Sequence, residues 1–243
     1  MTASASTAAA TGPQTTPRRR RAQRGSGDQL REEIIGAAKQ LLAHATTVDD
    51  VSIRAVADAV GVTAPSIYLH FADKNELLGA VVSDVFTTLD TAMLDAAAGV
   101  QLPMARLRAF GLAYVRFALA HPEHYRIATM DPCPMPFVDE VMASSAFVHF
   151  NDTVVECIDD GIFPAGDPLP ITLDLWAAAH GIASLMIAKP FLPWGDVEVV
   201  ADRALCAAAL GHAARALIGG EPTPEQVTAW LDEQRGAGRP TDR

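Results

Sequence analysis

The chain has 243 residues and a mass of 25.7 kDa, with 19 Lys/Arg against 29 Asp/Glu and a formal net charge of −10. Hydrophobic types make 49% and alanine alone supplies 44 residues, which excludes a disordered chain and favours an all-α fold, since alanine is the strongest helix former. Cys133, Cys157 and Cys206 are an odd and widely spaced three, so a disulfide scaffold is excluded, zinc spacing is absent and a reducing compartment fits.

Residues 1–17 carry no charged side chain and little apolar bulk, and read as a disordered tail. Arg18, Arg19, Arg20, Arg21 and Arg24 follow. Such a tract is a solvated linker, part of an organelle transit peptide, or an arm that follows DNA phosphates. Gly25-Ser26-Gly27 is a hinge, because no strand precedes it and no third glycine completes a phosphate loop. A first helix is expected from Asp28, as N-cap, to His44, with Leu30, Ile34, Ala37 and Leu41 on one face. Ser52 caps a short second helix whose Ile53, Val56, Ala57 and Val60 share a face, and Gly61 ends it. Thr63 caps a third, with Pro65 in its first turn, running through Ser66 to Phe71. Asp73 and Glu76 form an Asp-type capping box for a fourth, striped by Leu78, Val81, Val82, Val85 and Leu89.

Further helices are expected over 102–120, 123–130, 138–160, 171–188, 197–218 and 225–234. Asp131–Pro136 forms a three-proline break and 163–170 a loop. The longest uncharged apolar run, Leu175–Ala188, is 14 residues, short of the ~18 that a bilayer needs, and reads as a buried core helix. With no apolar signal segment at the N-terminus, no membrane and a cytoplasmic location are expected. Charge is uneven: residues 1–82 hold 9 Lys/Arg and 8 Asp/Glu, net +1, whereas 83–243 hold 10 and 21, net −11. Only the first end suits a polyanion.

Two short helices joined by a tight glycine turn form a helix-turn-helix unit, here SIRAVADAVGVTAPSIYLHF from Ser52 to Phe71. Arg54, Thr63, Ser66, Tyr68, His70 and Lys74 are hydrogen-bond donors flanking one short helix just after the arginine tract. Residues 28–82, through SIRAVADAVGVTAPSIYLHFADKNELL, resemble the DNA-binding domain of the tetracycline-repressor-like (TetR) family. HPEHYRIATM (121–130) and WAAAHG (176–181) resemble a C-terminal domain type of some of these regulators, marked by a Trp and a His-Gly step.

The resemblance implies an all-α, Ω-shaped homodimer of nine or ten helices per chain, with a three-helix DNA-binding head and a helical body that binds an effector and dimerises. The expected layout is a disordered basic arm at 1–27, the head at 28–73, the body at 74–235 and a flexible tail at 236–243. Positions matching the family's DNA contacts are Arg54 at a base edge and Thr63, Ser66, Tyr68, His70 and Lys74 at the backbone or nearby bases. Ala64 offers only an apolar contact, such as with a thymine methyl. The implied function is a sequence-specific transcriptional regulator, a repressor in the family's usual mode, acting on double-stranded DNA at a near-palindromic operator.

Helices 171–188 and 197–218 are apolar or small nearly all round and need covering on two sides, which suits a dimer built as a four-helix bundle. Tyr114, Met130, Phe137, Phe147, Trp176 and His180 are the candidate lining of a pocket for a small hydrophobic or aromatic effector, with His180 or Tyr114 as polar handle. The bland account of His180 is a satisfied core histidine. His121 and His124 have HxxH spacing but no convincing third ligand, so no metal and no cofactor are expected. Neither GxSxG nor HExxH occurs, so the chain is not expected to be an enzyme. An all-α enzyme with an unmarked acid–base pair and a helical protein-binding scaffold are the alternatives.

Overall fold

The computed structural model describes residues 26–45, 47–129 and 145–237. The arginine tract, the Asp131–Pro136 break, Met130, Cys133, Phe137 and the last six residues lie outside them. Among the described residues every regular element is helical: α1 Ser26–His44, α2 Ile53–Val60, α3 Ala64–Ile67, α4 Lys74–Ala97, α5 Pro103–Ala120, α6 Pro122–Thr129, α7 Ser145–Asp159, α8 Pro168–Ala188, α9 Val197–Ile218 and α10 Pro224–Ala237. A single 3-10 turn at Val48–Asp50 precedes α2.

The boundaries follow local chemistry, with some departures from the sequence reading. Helix α1 starts at Ser26, so Asp28 sits in its first turn and favours the positive end of the helix dipole rather than capping it. Helix α3 is only one turn. Past Ile67 the chain continues in turns, with the His70 and Phe71 amides both donating to the Ile67 carbonyl, at 2.9 and 3.0 Å. Helix α8 begins at Pro168, inside the segment expected to be a loop. Proline is tolerated in a first turn, where its missing N–H has no partner to lose, and Asp167 Oδ1 caps the Leu169 amide at 3.0 Å. For the helix expected over 138–160, the described part is α7.

Three apolar clusters hold the chain together. The first joins α1 to α4 around Ile34, Leu42, Val56, Ile67, Phe71 and Val81. The second runs from the lower half of α4, with Val85, Phe86 and Leu89, through α5 to α8 and α9. The third closes the far end around Val154, Cys157, Phe163 and Ile171. Helix α5 packs against α4, α6, α7, α8 and α9, so it is the axis of the body. Helices α4 and α8 are long and apolar enough to cross a bilayer by length and composition, and lie against the other helices with half and a third of those windows buried. The expectation of a buried core helix at 175–188 therefore holds for one face of it. Leu175, Ala179, Ala183 and Met186 face the core, while Leu173 and Leu185 are exposed.

Helix α6 crosses between clusters. Ile127, 3% exposed, belongs to the first, and Tyr125 to the second. Ile127→Ala should destabilise the chain by about 2–5 kcal/mol, the range for emptying a packed Ile site, read from denaturant midpoints. An unchanged midpoint would show that the two clusters are not joined there.

Candidate functional site

The α2–turn–α3 unit is built by short-range bonds. Ser52 Oγ accepts the Ala55 amide at 3.1 Å and opens α2. Gly61 closes it at φ +78°, a left-handed conformation that glycine adopts without Cβ strain, and its amide and that of Val62 both donate to the Ala57 carbonyl at 2.9 Å. Ala57, 1% exposed, leaves room for the close crossing. Thr63 stands at the N-cap of α3 with extended backbone, but its hydroxyl pairs with Ser66 Oγ at 2.9 Å instead of capping an amide. Asp73 Oδ1 caps the Glu76 amide at 2.9 Å, and Glu76 reaches back to the Ala72 amide, one residue earlier than a strict capping box.

Val56, Ile67 and Phe71 anchor this unit from below, and Arg31 of α1 lies over the Phe71 ring at 5.0 Å. Arg54, Thr63 and Tyr68 stand exposed on its outer side, and Ala64, Ser66, His70 and Lys74 are half-buried around them. Lys74 Nζ lies 3.6 Å from Asp49 Oδ1, a loose and solvated pair. The sequence reading missed Leu69, which is 84% exposed beside Tyr68. Its signal was available, since a leucine between Tyr68 and His70 lies off the face that buries Ile67 and Phe71. The described head is not basic: residues 26–82 hold 4 Lys/Arg against 8 Asp/Glu, net −4.

In the body, Tyr114, Phe147 and Trp176 come together around an apolar void of about 40 Å³, closed on the α4 side by Phe86, Leu89 and Met93. Of these, the sequence reading placed Leu89 in the core stripe of α4 and named neither Phe86 nor Met93. His180 is not in that wall. It lies behind it in a chain of hydrogen bonds: Trp176 Nε1 donates to Tyr114 Oη at 3.2 Å, Tyr114 to Tyr125 Oη at 3.1 Å, and Tyr125 to His180 Nδ1 at 2.6 Å. With Nδ1 accepting, the neutral ring carries its proton on Nε2 and donates it to Ser184 Oγ at 3.2 Å. Burial lowers the His180 pKa and, with Tyr125 beside it, raises that of Tyr114 well above the usual phenol range. Each hydroxyl proton is used inside the chain, so a ligand meets at most an acceptor lone pair of Tyr114.

Helix α6 ties this network to the head. Two residues along from Tyr125, Ile127 enters the first cluster, and between them Arg126 Nη2 donates to carbonyls at the end of α1, Leu42 at 3.3 Å and Ala45, just past it, at 3.1 Å. His149 Nδ1 and buried Asp90, 2.8 Å apart, tie α7 to α4. His121 and His124 stack at 5.9 Å, and no group of three or more metal-type side chains occurs among the described residues. Leu169, Leu173, Ala177 and Ala188 share an exposed face of α8, and Val199, Ala207, Leu210 and Leu217 one of α9.

Comparison with known proteins gives two family matches: bacterial regulatory proteins of the tetR family over residues 34–81, and the tetracyclin repressor-like C-terminal domain over 107–208. No curated protein sequence matches. A protein with unknown function from Rhodococcus sp. RHA1 shares 29% identity at a TM-score of 0.63, over 76% of this chain and 95% of that one. A TetR family transcription regulator from Marinobacter aquaeolei VT8 shares 20% at 0.59, over 76% and 98%. RolR in complex with resorcinol shares 18% at 0.59, over 84% and 100%. The last two likenesses speak for the fold.

Burial lowers the pKa of His180, and likewise of His124 and His212. In the unfolded chain these groups take up protons below about pH 6.5, while the folded chain resists. Their contribution to stability is therefore complete above that pH and lost as pH falls below it. Denaturant midpoints should drop between pH 7.5 and 5, and His180→Gln should flatten the drop. A midpoint that rises on acidification would contradict the neutral, Tyr125-accepting state.

Proposed function

We propose that the chain, which belongs to the tetR family of bacterial regulatory proteins by its two family matches, is a ligand-responsive DNA-binding repressor acting in the cytoplasm as a homodimer. The observation that carries the DNA reading is the outer side of α2–turn–α3, where polar and basic side chains stand over a rigid apolar base. Arg54 reads a base edge. Tyr68, Lys74 and the Thr63–Ser66 hydroxyl pair position the head on phosphates, with His70 beside them. Ala64 and the exposed Leu69 supply apolar contacts of the kind a thymine methyl accepts.

The net −4 of residues 26–82 gives the head no bulk attraction to DNA. Arg18–Arg21 and Arg24 turn the sum to +1, so the arm supplies the electrostatic part of the affinity. Each described contact residue then works as a placed donor rather than as part of a basic patch.

The exposed apolar faces of α8 and α9 support pairing with the same helices of a second copy. Leu217 is 74% and Leu210 62% exposed, and surface leucines in a continuous stripe are costly to leave in water. A two-fold dimer sets the two recognition units one DNA turn apart, about 34–36 Å, or a multiple of it, and so demands a near-palindromic operator.

The effector reading rests on the apolar wall of Tyr114, Phe147 and Trp176; Met130 and Phe137, expected from sequence, lie outside the described residues. A small hydrophobic or aromatic molecule there shifts operator affinity to the extent that it binds one head arrangement better than the other. About 1.4 kcal/mol of difference gives tenfold relief. The route to the head runs along α6, from Tyr125 to Arg126 and Ile127, as well as along α4. RolR, a protein of the same fold, is known with resorcinol bound.

Operator fragments selected from genomic DNA and measured by gel-shift titration test this. Arg54→Ala should cost about 1–3 kcal/mol on the selected site and relax one base position, while Lys74→Ala weakens all sequences alike. Removing residues 1–24 should flatten the dependence of affinity on salt. Unchanged site preference in Arg54→Ala removes that residue from base reading. Light scattering should give twice 25.7 kDa for the native chain and a shift to monomer for the Leu210→Glu, Leu217→Glu double variant. A native monomer at micromolar concentration would overturn the dimer.

A further inference from the structure

A second hollow lies between α5 and α9, and it is much larger than the void beside α4. Its volume is about 380 Å³, within the ~300–1,000 Å³ of small-molecule sites, whereas the 40 Å³ void has room for little more than a water. The two share Gly111, Phe150 and Ala179, so the wall between them is about one side chain thick. Phe150 itself packs against both body clusters.

The chamber exists because the helices facing it carry small residues. A Cβ on Gly111 would stand 2.9 Å from Leu205 Cδ1, so the Leu205 side chain lies directly over the glycine and a larger residue there would have to turn it aside. Ala105, Ala179 and Ala209 leave the remaining space, between Leu107 on one side and Leu175 on the other. The chamber's ionisable groups form a closed set. Arg108 Nε and Nη2 donate to the two oxygens of Asp202 at 2.5 and 2.9 Å, and Cys206 Sγ donates to Asp202 Oδ1 at 3.5 Å. Arg108 is exposed at the rim and already paired with Asp202, so a carboxylate ligand would have to compete for it, whereas an uncharged one leaves the pair intact.

We propose that the effector read above, an uncharged aromatic or aliphatic molecule, holds its bulk in this α5–α9 chamber and leans the Phe150 wall towards the smaller void, against Leu89 and Met93 of α4. It deepens the effector reading above and rests on it. The void is then the slack that lets a packed wall move: a ring pressed into it meets the helix that runs to the head at Lys74.

Naphthalene is the probe and 1-naphthoate its charged counterpart. Cys206 lines the chamber and is half-buried, so its alkylation by iodoacetamide, followed by peptide mass spectrometry, reports occupancy without DNA. Naphthalene should raise the Tm and, at ten times its Kd, slow Cys206 alkylation about tenfold, while 1-naphthoate does neither. Ala209→Phe, which fills the chamber, should abolish both effects, and Ala146→Phe, which fills only the void, should leave the protection in place but cancel the effect of naphthalene on operator affinity. Should Ala209→Phe fail to melt cooperatively, protection in the native chain decides. A Tm shift without Cys206 protection, protection that survives Ala209→Phe, or no response to naphthalene at all each overturns the chamber. Protection by naphthalene with unchanged operator affinity would keep the chamber as a binding site and overturn its regulatory role, so the two failures are told apart.

Discussion

Residues two apart on an α-helix are turned about 200° from each other, and α6 uses that fact to belong to two cores at once. Tyr125 points into the body, where its hydroxyl is the middle link between Tyr114 and His180, and Ile127 points into the head, where it is almost fully buried. Arg126, between them, holds the end of α1 by two carbonyls. An eight-residue helix fixed by a hydrogen bond on one side and by packing on the other cannot rotate without disturbing both. Head and body are thus registered to each other by a rigid wedge, and α4 supplies the second, longer connection.

The head was legible in the sequence because its determinants are local. Ser52, Gly61 and Asp73 each act on amides or carbonyls within four residues, and such signals survive without knowledge of the rest of the fold. Where local signals competed, the reading slipped. Pro168 and Pro170 looked like loop punctuation and are the first turn of α8, and the stretch from Tyr68 to Phe71 looked helical but relaxes into turns after a single helical turn. The body was less legible for a different reason. The chamber between α5 and α9 depends on Gly111 meeting Leu205, residues 94 positions apart, and no periodicity within either helix announces that encounter. His180 shows the same limit: its helix places it among apolar residues, but does not reveal that Tyr125 already occupies it.

The distribution of charge separates two tasks that DNA-binding surfaces often combine. The folded head offers placed donors on a net-negative unit, and the positive charge lies in five arginines ahead of α1. On the proposed reading, recognition and attraction are carried by different stretches of chain, and salt acts mainly on the second.

Gly111 has a consequence for how this chain can change over evolutionary time. Leu205, not backbone, is what a side chain at 111 would meet, and a leucine tip can yield by rotating. Each added methyl would be felt on both sides of the wall at once: the α5–α9 gap would widen or the hollow beside it would shrink. Alanine and valine are each one base change from any glycine codon. The size of that hollow is thus adjustable at one position, in small steps, without touching the α2–turn–α3 unit.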